Sequence, residues 1–433
     1  MKRVFLPILL AALVLGILAG CFPPQQSQSQ QSSAPVSFMV SGDPQEYKAY
    51  ESLVAAFEAA NPDVEIELRY VPDDKEYRRR LAADFSANVP PDVMLMNYRR
   101  IGDFAANGAL EPLDGYLQSS QALSVNDLYE PAVKAFQYND QQWCVPQNVS
   151  SLVVYYNKNL FDAAGVPYPT NDWNWDDFVN AGLALTQDTN GDGATDQYGA
   201  GIDPILYRLA PFIWQIGGEL VDDPVNPTQL VLDSPTALAA FQWFVDLQVK
   251  HHIVPDAVAE ASESSESRFL NGTLGMFFDS RRGTPTFRTI TDFDWDVAPL
   301  PNGSQPASIL HSDGYCMAAG SKSKEAAWKL IEFANSQPGQ ELMAKTGRTV
   351  PSMRAVAESA AFLEPDNPPA NSQVWVDIVP TVRQVPTMPG WVAIEDAASA
   401  EIERAFYGQA TVEEAAAAAV ARTKELFPAT AQP

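Results

Sequence analysis

The residues that could do chemistry in this chain are mostly carboxylates: 54 Asp and Glu stand against 28 Lys and Arg and three His. One group has a spacing of its own. Asp188, Asn190, Asp192 and Asp196 put oxygen-bearing side chains at loop positions 1, 3, 5 and 9, with Gly193 at position 6. That is the pattern of a calcium loop, in which oxygen ligands converge on a hard cation. Position 12, where a bidentate glutamate belongs, is Gly199, so the set is incomplete. Asp, Asn and Gly also form ordinary turns. A structural Ca2+ and a solvated loop are therefore both open. His251, His252 and His311 lack metal-ligand spacing, and there is no G-x-S-x-G elbow, P-loop or G-x-G-x-x-G fingerprint. The chain reads as a non-enzyme without an organic cofactor. So many carboxylates make accidental Asp/Glu pairs, which keeps a secreted glycosidase as an alternative. Turnover separates the two, because a binding protein returns its ligand unchanged.

Other residues suit the holding of a ligand. Ser41-Gly42-Asp43 and Asn97-Tyr98-Arg99-Arg100 each follow a β-favouring run, and Asp279-Ser280-Arg281-Arg282-Gly283 follows Met276-Phe277-Phe278. A guanidinium can fork onto a carboxylate or phosphate, so Arg99, Arg100, Arg281 and Arg282 make an anionic solute such as a glycerophosphodiester a second ligand class.

The elements that position these residues begin with a β-α-β unit. Val36–Val40 is a strand, Asp43 a helix N-cap and Pro44 a first helical residue that needs no N–H. Tyr47, Tyr50, Leu53, Val54, Phe57 and Ala60 share one helical face, and Val64, Ile66 and Leu68 alternate with polar residues as a second strand. Such crossovers imply a parallel sheet covered by helices, with ligands beyond the carboxyl ends of strands. A helix over Tyr77–Phe85, a buried strand over Val93–Met96 and a helix from Ile101 follow. Trp214 lies in a segment with Pro211 and Gly217-Gly218, and Leu238–Val249 is an amphipathic helix, both readable as core.

Lys2 and Arg3 precede an apolar run, Val4 to Leu18, too short for a lasting membrane helix. Leu18-Ala19-Gly20-Cys21 resembles the bacterial lipoprotein box, which implies removal of residues 1–20 and a lipid on Cys21. Residues 21–36 read as a Gln/Ser/Pro-rich tether with a reach of about 20 Å. The expected location is the outer face of the cytoplasmic membrane, reached through that anchor. A formal net charge of −26 argues against nucleic acid and anionic lipid as partners. A body of some 400 residues exceeds a single core, so two lobes are expected.

The ordered motifs resemble the carbohydrate-type, family-1 solute-binding proteins of ABC importers. Phe57-Glu58-Ala59-Ala60-Asn61-Pro62-Asp63-Val64, Pro91-Asp92-Val93, Gly108–Asp114, Val154-Tyr155-Tyr156-Asn157-Lys158, Trp175-Asp176-Asp177-Phe178 and Ser321–Trp328 carry the resemblance, over about residues 37–425.

The resemblance implies an α/β, two-lobed periplasmic-binding-protein-like fold of type II. Its mixed sheets are flanked by helices. Lobe 1 is expected at 37–143 and 317–378, lobe 2 at 147–313 and 379–428, and hinge crossings at 144–146 and 314–316. It implies capture of a sugar or oligosaccharide between the lobes and delivery to the importer's membrane subunits by a monomer. Met388-Pro389-Gly390-Trp391 resembles the segment that places a Trp over the sugar, whose C–H face an aromatic ring covers. Ser150, Trp214 and Asp313 complete the expected ligand set. The arginines at 281 and 282 depart from the aromatic usual at that corner. Cys144 and Cys316 fall in the two implied crossings, which run side by side in the family, so the resemblance implies proximity, and a disulfide and two separate buried thiols are both open. A structural or adhesive surface lipoprotein is the reading of another class, and it predicts no ligand-induced closure.

Overall fold

The computed structural model describes residues 34–428. Cys21, where a lipid is expected, with the expected signal segment and most of the expected tether, lies outside these residues. The first β-α-β unit runs Val36–Ser41, Pro44–Ala60, Ile66–Val71. Asp43 caps the helix by accepting the backbone N–H groups of Gln45 at 2.8 Å and Glu46 at 3.0 Å. The cap satisfies donors that have no partner inside a helix. Tyr50, Leu53 and Phe57 form the buried stripe, and Asn61 ends the helix.

Five strands make the first sheet, in the order Ile66–Val71, Val36–Ser41, Val93–Asn97, Asp313–Met317, Cys144–Pro146. The first three are parallel, and Asp313–Met317 runs antiparallel to both its neighbours. The second sheet runs Val382–Arg383, Ser308–His311, Ser150–Asn157, Leu274–Ser280, Tyr198–Gly201, with Trp295–Ala298 also paired to Ser150–Asn157. Helices cover both sheets, giving two lobes of mixed sheet and helix whose buried apolar residues form one continuous cluster. In the first, Phe38 meets Tyr50 edge-on at 5.8 Å and Tyr315 at 5.9 Å. In the second, Tyr155 packs against Phe287 at 4.7 Å, and Trp175 stacks on Trp243 at 4.3 Å. Of these, Phe38, Tyr50, Tyr315, Tyr155 and Phe287 are fully buried, and such a side chain contributes about 1.5–3 kcal/mol of transfer free energy.

Two expectations shift. The helix after Val93–Asn97 starts at Tyr98 rather than Ile101, because the Asn97 side chain caps it by accepting the Arg99 N–H at 3.3 Å. The residues expected as hinge crossings, 144–146 and 314–316, are paired inside the first sheet, with Cys144 opposite Cys316 and joined to it by a disulfide. The chain leaves that sheet further on, through Gln147-Asn148-Val149 and Ser312. Gln147 organises this passage. Its N–H donates to the Asp313 carbonyl at 2.8 Å, its amide donates to Tyr315 Oη at 2.8 Å, and its carbonyl accepts from Gln340 at 2.9 Å. Asn148 accepts the Asp313 N–H at 2.7 Å. Trp375, expected in the first lobe, packs on Tyr155 of the second sheet at 6.1 Å.

Candidate functional site

A cleft of about 320 Å³ lies between the sheets. Strand ends carry most of its lining, because carbonyl-end loops are where backbone direction changes and side chains turn outward. Ser41, Gly42 and Asn97 come from carboxyl ends in the first sheet; Asp279, Ser280 and His311 come from carboxyl ends in the second. Tyr207 and Arg208 open the helix Leu206–Gln215, and Gln147, Asn148 and Ser150 line the hinge side. Gly42 has φ +138°, and a Cβ there would stand 1.9 Å from the Glu46 carboxylate, so only glycine fits this wall.

Four of the five arginines of the cleft are matched by carboxylates. Arg348 binds Asp43 and, at 3.0 Å, Glu46; Arg100 binds Asp74 at 3.1 Å; Arg208 lies 3.4 Å from Asp203 and 3.8 Å from Asp279; Arg99 pairs with Glu395. Arg282 is exposed and has no ion pair or hydrogen bond among the described residues. Asp313 accepts the Asn97 amide at 3.0 Å. Arg99 also lies 4.1 Å from the Tyr207 ring centroid, and Tyr207 stacks on His311 at 4.7 Å.

Burial sets the protonation of this wall. It pushes the Asp279 carboxyl up to about 6, against the Arg208 charge, and raises Glu46 against Arg348. It holds His311 well below the usual imidazole value, reinforced by Arg208, Arg99 and Arg282, so the ring is neutral at pH 7. The Asp74 carboxyl stays low because Arg100, by charge and hydrogen bond, outweighs its burial. The cleft therefore offers hydroxyl, amide, carboxylate and guanidinium groups from both lobes, suited to polar solutes. Its two ring-bearing tyrosines, Tyr77 and Tyr207, are buried.

The family model for the bacterial extracellular solute-binding protein matches residues 41–341. The chain belongs to that family. Its members are exported binding proteins. Among relatives, a binding protein of Brucella abortus is 25% identical over 390 residues, 87% of this chain and 90% of its own. The galactooligosaccharide-binding protein of Bacillus subtilis is 24% identical over 407 residues, 88% and 91% respectively. An ABC substrate-binding protein from Listeria monocytogenes, solved in complex with cycloalternan, superposes with a TM-score of 0.83 at 23% identity, covering 90% of this chain and 98% of that one. That likeness shows the two-lobed fold.

In this solute-binding protein Ser41, Gly42, Asn97, Arg99, Ser150, Arg282 and Asp313 all line the cleft. Five expected residues do not. Asp43 is turned to its helix cap and to Arg348. Tyr98 is buried, its hydroxyl accepting the Val385 N–H at 3.2 Å. Arg281 is fully buried: its Nε–H donates to the Gly347 carbonyl at 2.8 Å, it pairs with Glu364 at 3.1 Å, and it lies 4.7 Å from the Trp375 ring. Trp214 is buried and lines a separate hollow, covered by Arg383 at 4.8 Å. Trp391 starts the helix Trp391–Phe406 and is wholly buried, so its faces are closed to a sugar.

The loop left open between a cation and a plain turn is held by its own hydrogen bonds. Asp188 accepts the Gly191 N–H at 2.7 Å and the Gly193 N–H at 2.8 Å; Asp192 accepts that of Ala194 at 2.8 Å; Asp196 accepts from Thr189 and Asn190. Asn190 accepts the Asp192 N–H at 2.9 Å. These side chains brace their own turn, and no three acidic or imidazole groups converge for a metal among the described residues.

Sequence reasoning missed Glu46, Tyr207, Arg208 and Arg348, and named Asp279 only within the segment after Met276-Phe277-Phe278. Arg348 carried no signal, since a loop some 300 residues away in sequence brings it to Asp43.

Proposed function

We propose that the protein captures a carbohydrate in the cleft between its lobes and delivers it to an ABC importer. The carrying observation is that polar side chains of both lobes line one cleft. A solute bound there contacts both walls and stabilises the closed arrangement by that differential affinity. Support for a sugar comes from the relative named for galactooligosaccharides and the structural neighbour bound to cycloalternan. The ligand leaves unchanged, and the importer's own subunits supply nucleotide hydrolysis. Lipid on Cys21 and the following tether hold the monomer at the outer membrane face. No described helix is long and apolar enough to cross a membrane.

A thermal-shift panel of sugars, followed by small-angle scattering, tests this reading. A bound sugar raises the melting temperature and compacts the protein. A protein that neither stabilises nor compacts with any sugar is instead a structural surface lipoprotein, and one that cleaves an oligosaccharide is a glycosidase.

A further inference from the structure

The cleft gathers arginines in a chain that is acidic overall. Overall, acidic residues outnumber Lys and Arg by 54 to 28, yet the cleft is lined by five arginines and four carboxylates, Glu46, Asp74, Asp279 and Asp313. Four of those arginines already have carboxylate partners within ion-pair distance. Arg282 has none among the described residues, and it is exposed in the cleft. The carboxylates of Glu46, Asp313, Asp279 and Asp43 act on it by charge, but none pairs with it directly among the described residues, and Asp313 is held by the Asn97 amide at 3.0 Å. Arg208 Nε and Arg348 Nε are two further buried donors that lack a partner. Closure over a neutral ligand would take the Arg282 charge out of water without a direct ion pair or hydrogen bond, which is costly. An acid group on the ligand would complete the pattern the other four arginines show, with a charge-assisted, forked hydrogen bond.

Taking the cleft as a carbohydrate site, we infer that its solute is a sugar or polyol unit bearing a carboxylate or phosphate, and that Arg282 receives that acid group. Asp313, Ser41 and Ser150 then face the hydroxyls. Among the described residues no exposed Phe, Trp or Tyr ring lines the cleft, since Tyr207 and Tyr77 are buried, so recognition rests on polar and charged groups.

The test is calorimetry on the mature protein with glucuronate, glucose 6-phosphate, glycerophosphocholine, glucose and maltose, repeated with Arg282→Gln. An acid-bearing probe should bind at least roughly tenfold tighter than glucose and maltose. That preference should shrink by about tenfold in Arg282→Gln, the scale of a hydrogen bond to a charged group, and weaken with added salt. Glucuronate alone assigns a carboxylate; the phosphates alone assign a phosphate; either outcome supports the inference. An unchanged melting temperature of ligand-free Arg282→Gln confirms that folding is intact. Glucose or maltose binding as tightly as the acids, or acids binding equally well to Arg282→Gln, overturns the inference and leaves the carbohydrate reading standing. Binding of no sugar, neutral or acidic, overturns that reading and the inference with it.

Discussion

The Arg99 guanidinium, carried by the first lobe, lies 4.1 Å from the centroid of the Tyr207 ring, carried by the second. The same guanidinium pairs with Glu395 on the helix Trp391–Phe406. Burial raises the Glu395 carboxyl, with the Arg99 charge opposing it. Arg99 therefore ties the two walls of the cleft. Arg99→Ala should weaken ligand binding by ~1–2 kcal/mol, through the lost cation–π contact and the Glu395 left unpaired. Scattering of the ligand-free variant should show a more open average form. Identical affinity and an identical radius of gyration would deny Arg99 this role.

Asp279 gives the stability a pH dependence of definite sign. Its folded carboxyl titrates at about 6, above the ordinary value near 4 in the unfolded chain. Between those values the folded protein holds the extra proton, so this stabilisation is full below about pH 4 and lost as pH rises through about 6. His311 acts oppositely: its depressed value gives stability that is present above about pH 6.5 and lost as pH falls. Asp279→Asn leaves His311 in place. The melting temperature of the variant minus that of the parent should therefore climb from pH 4 to pH 6.5, and a flat difference would contradict the assigned burial.

Neighbouring arginines should behave in opposite ways. Arg281→Met strips a buried guanidinium from Glu364, the Gly347 carbonyl and Ser372. It should cost about 3 kcal/mol in denaturant unfolding while the folded protein keeps its ligand affinity. Weakened binding with unchanged stability would instead place Arg281 at the ligand.

Trp391→Ala should also report on stability alone. Removing a wholly buried indole costs about 3–5 kcal/mol. The measurement is urea unfolding beside calorimetry at low temperature, where the variant stays folded. A selective loss of sugar affinity would return Trp391 to the cleft.

Reducing the Cys144–Cys316 link frees a loop spanning 172 residues of sequence separation. Stability should fall by about 2–5 kcal/mol, read as a lower denaturation midpoint in dithiothreitol. Cys144→Ser with Cys316→Ser should match the reduced parent and gain nothing from an oxidant.

Local order was legible in the residues themselves. The Asp43 cap, the Tyr50–Leu53–Phe57 stripe and the alternation around Ile66 are short-range patterns, and so was the rule that put Ser41 and Asn97 at strand ends facing a ligand. The ordered motifs extended this to the family and to the facing of Cys144 and Cys316. What a side chain does at an element's end depends on what the rest of the chain brings to it. Arg281 and Arg282 are adjacent and chemically identical, yet the backbone turn after Leu274–Ser280 sends one into the Phe362–Trp375 core and leaves the other in the cleft. Trp391 has the residue type of a stacking platform, but packing of its helix closes both its faces. Asp188, Asn190, Asp192 and Asp196 have a cation's spacing, but their oxygens satisfy the loop's own amides first. Type and spacing determined which groups were available; only the tertiary contacts, made by segments up to some 300 residues apart, decided which were already partnered and which were left for a ligand.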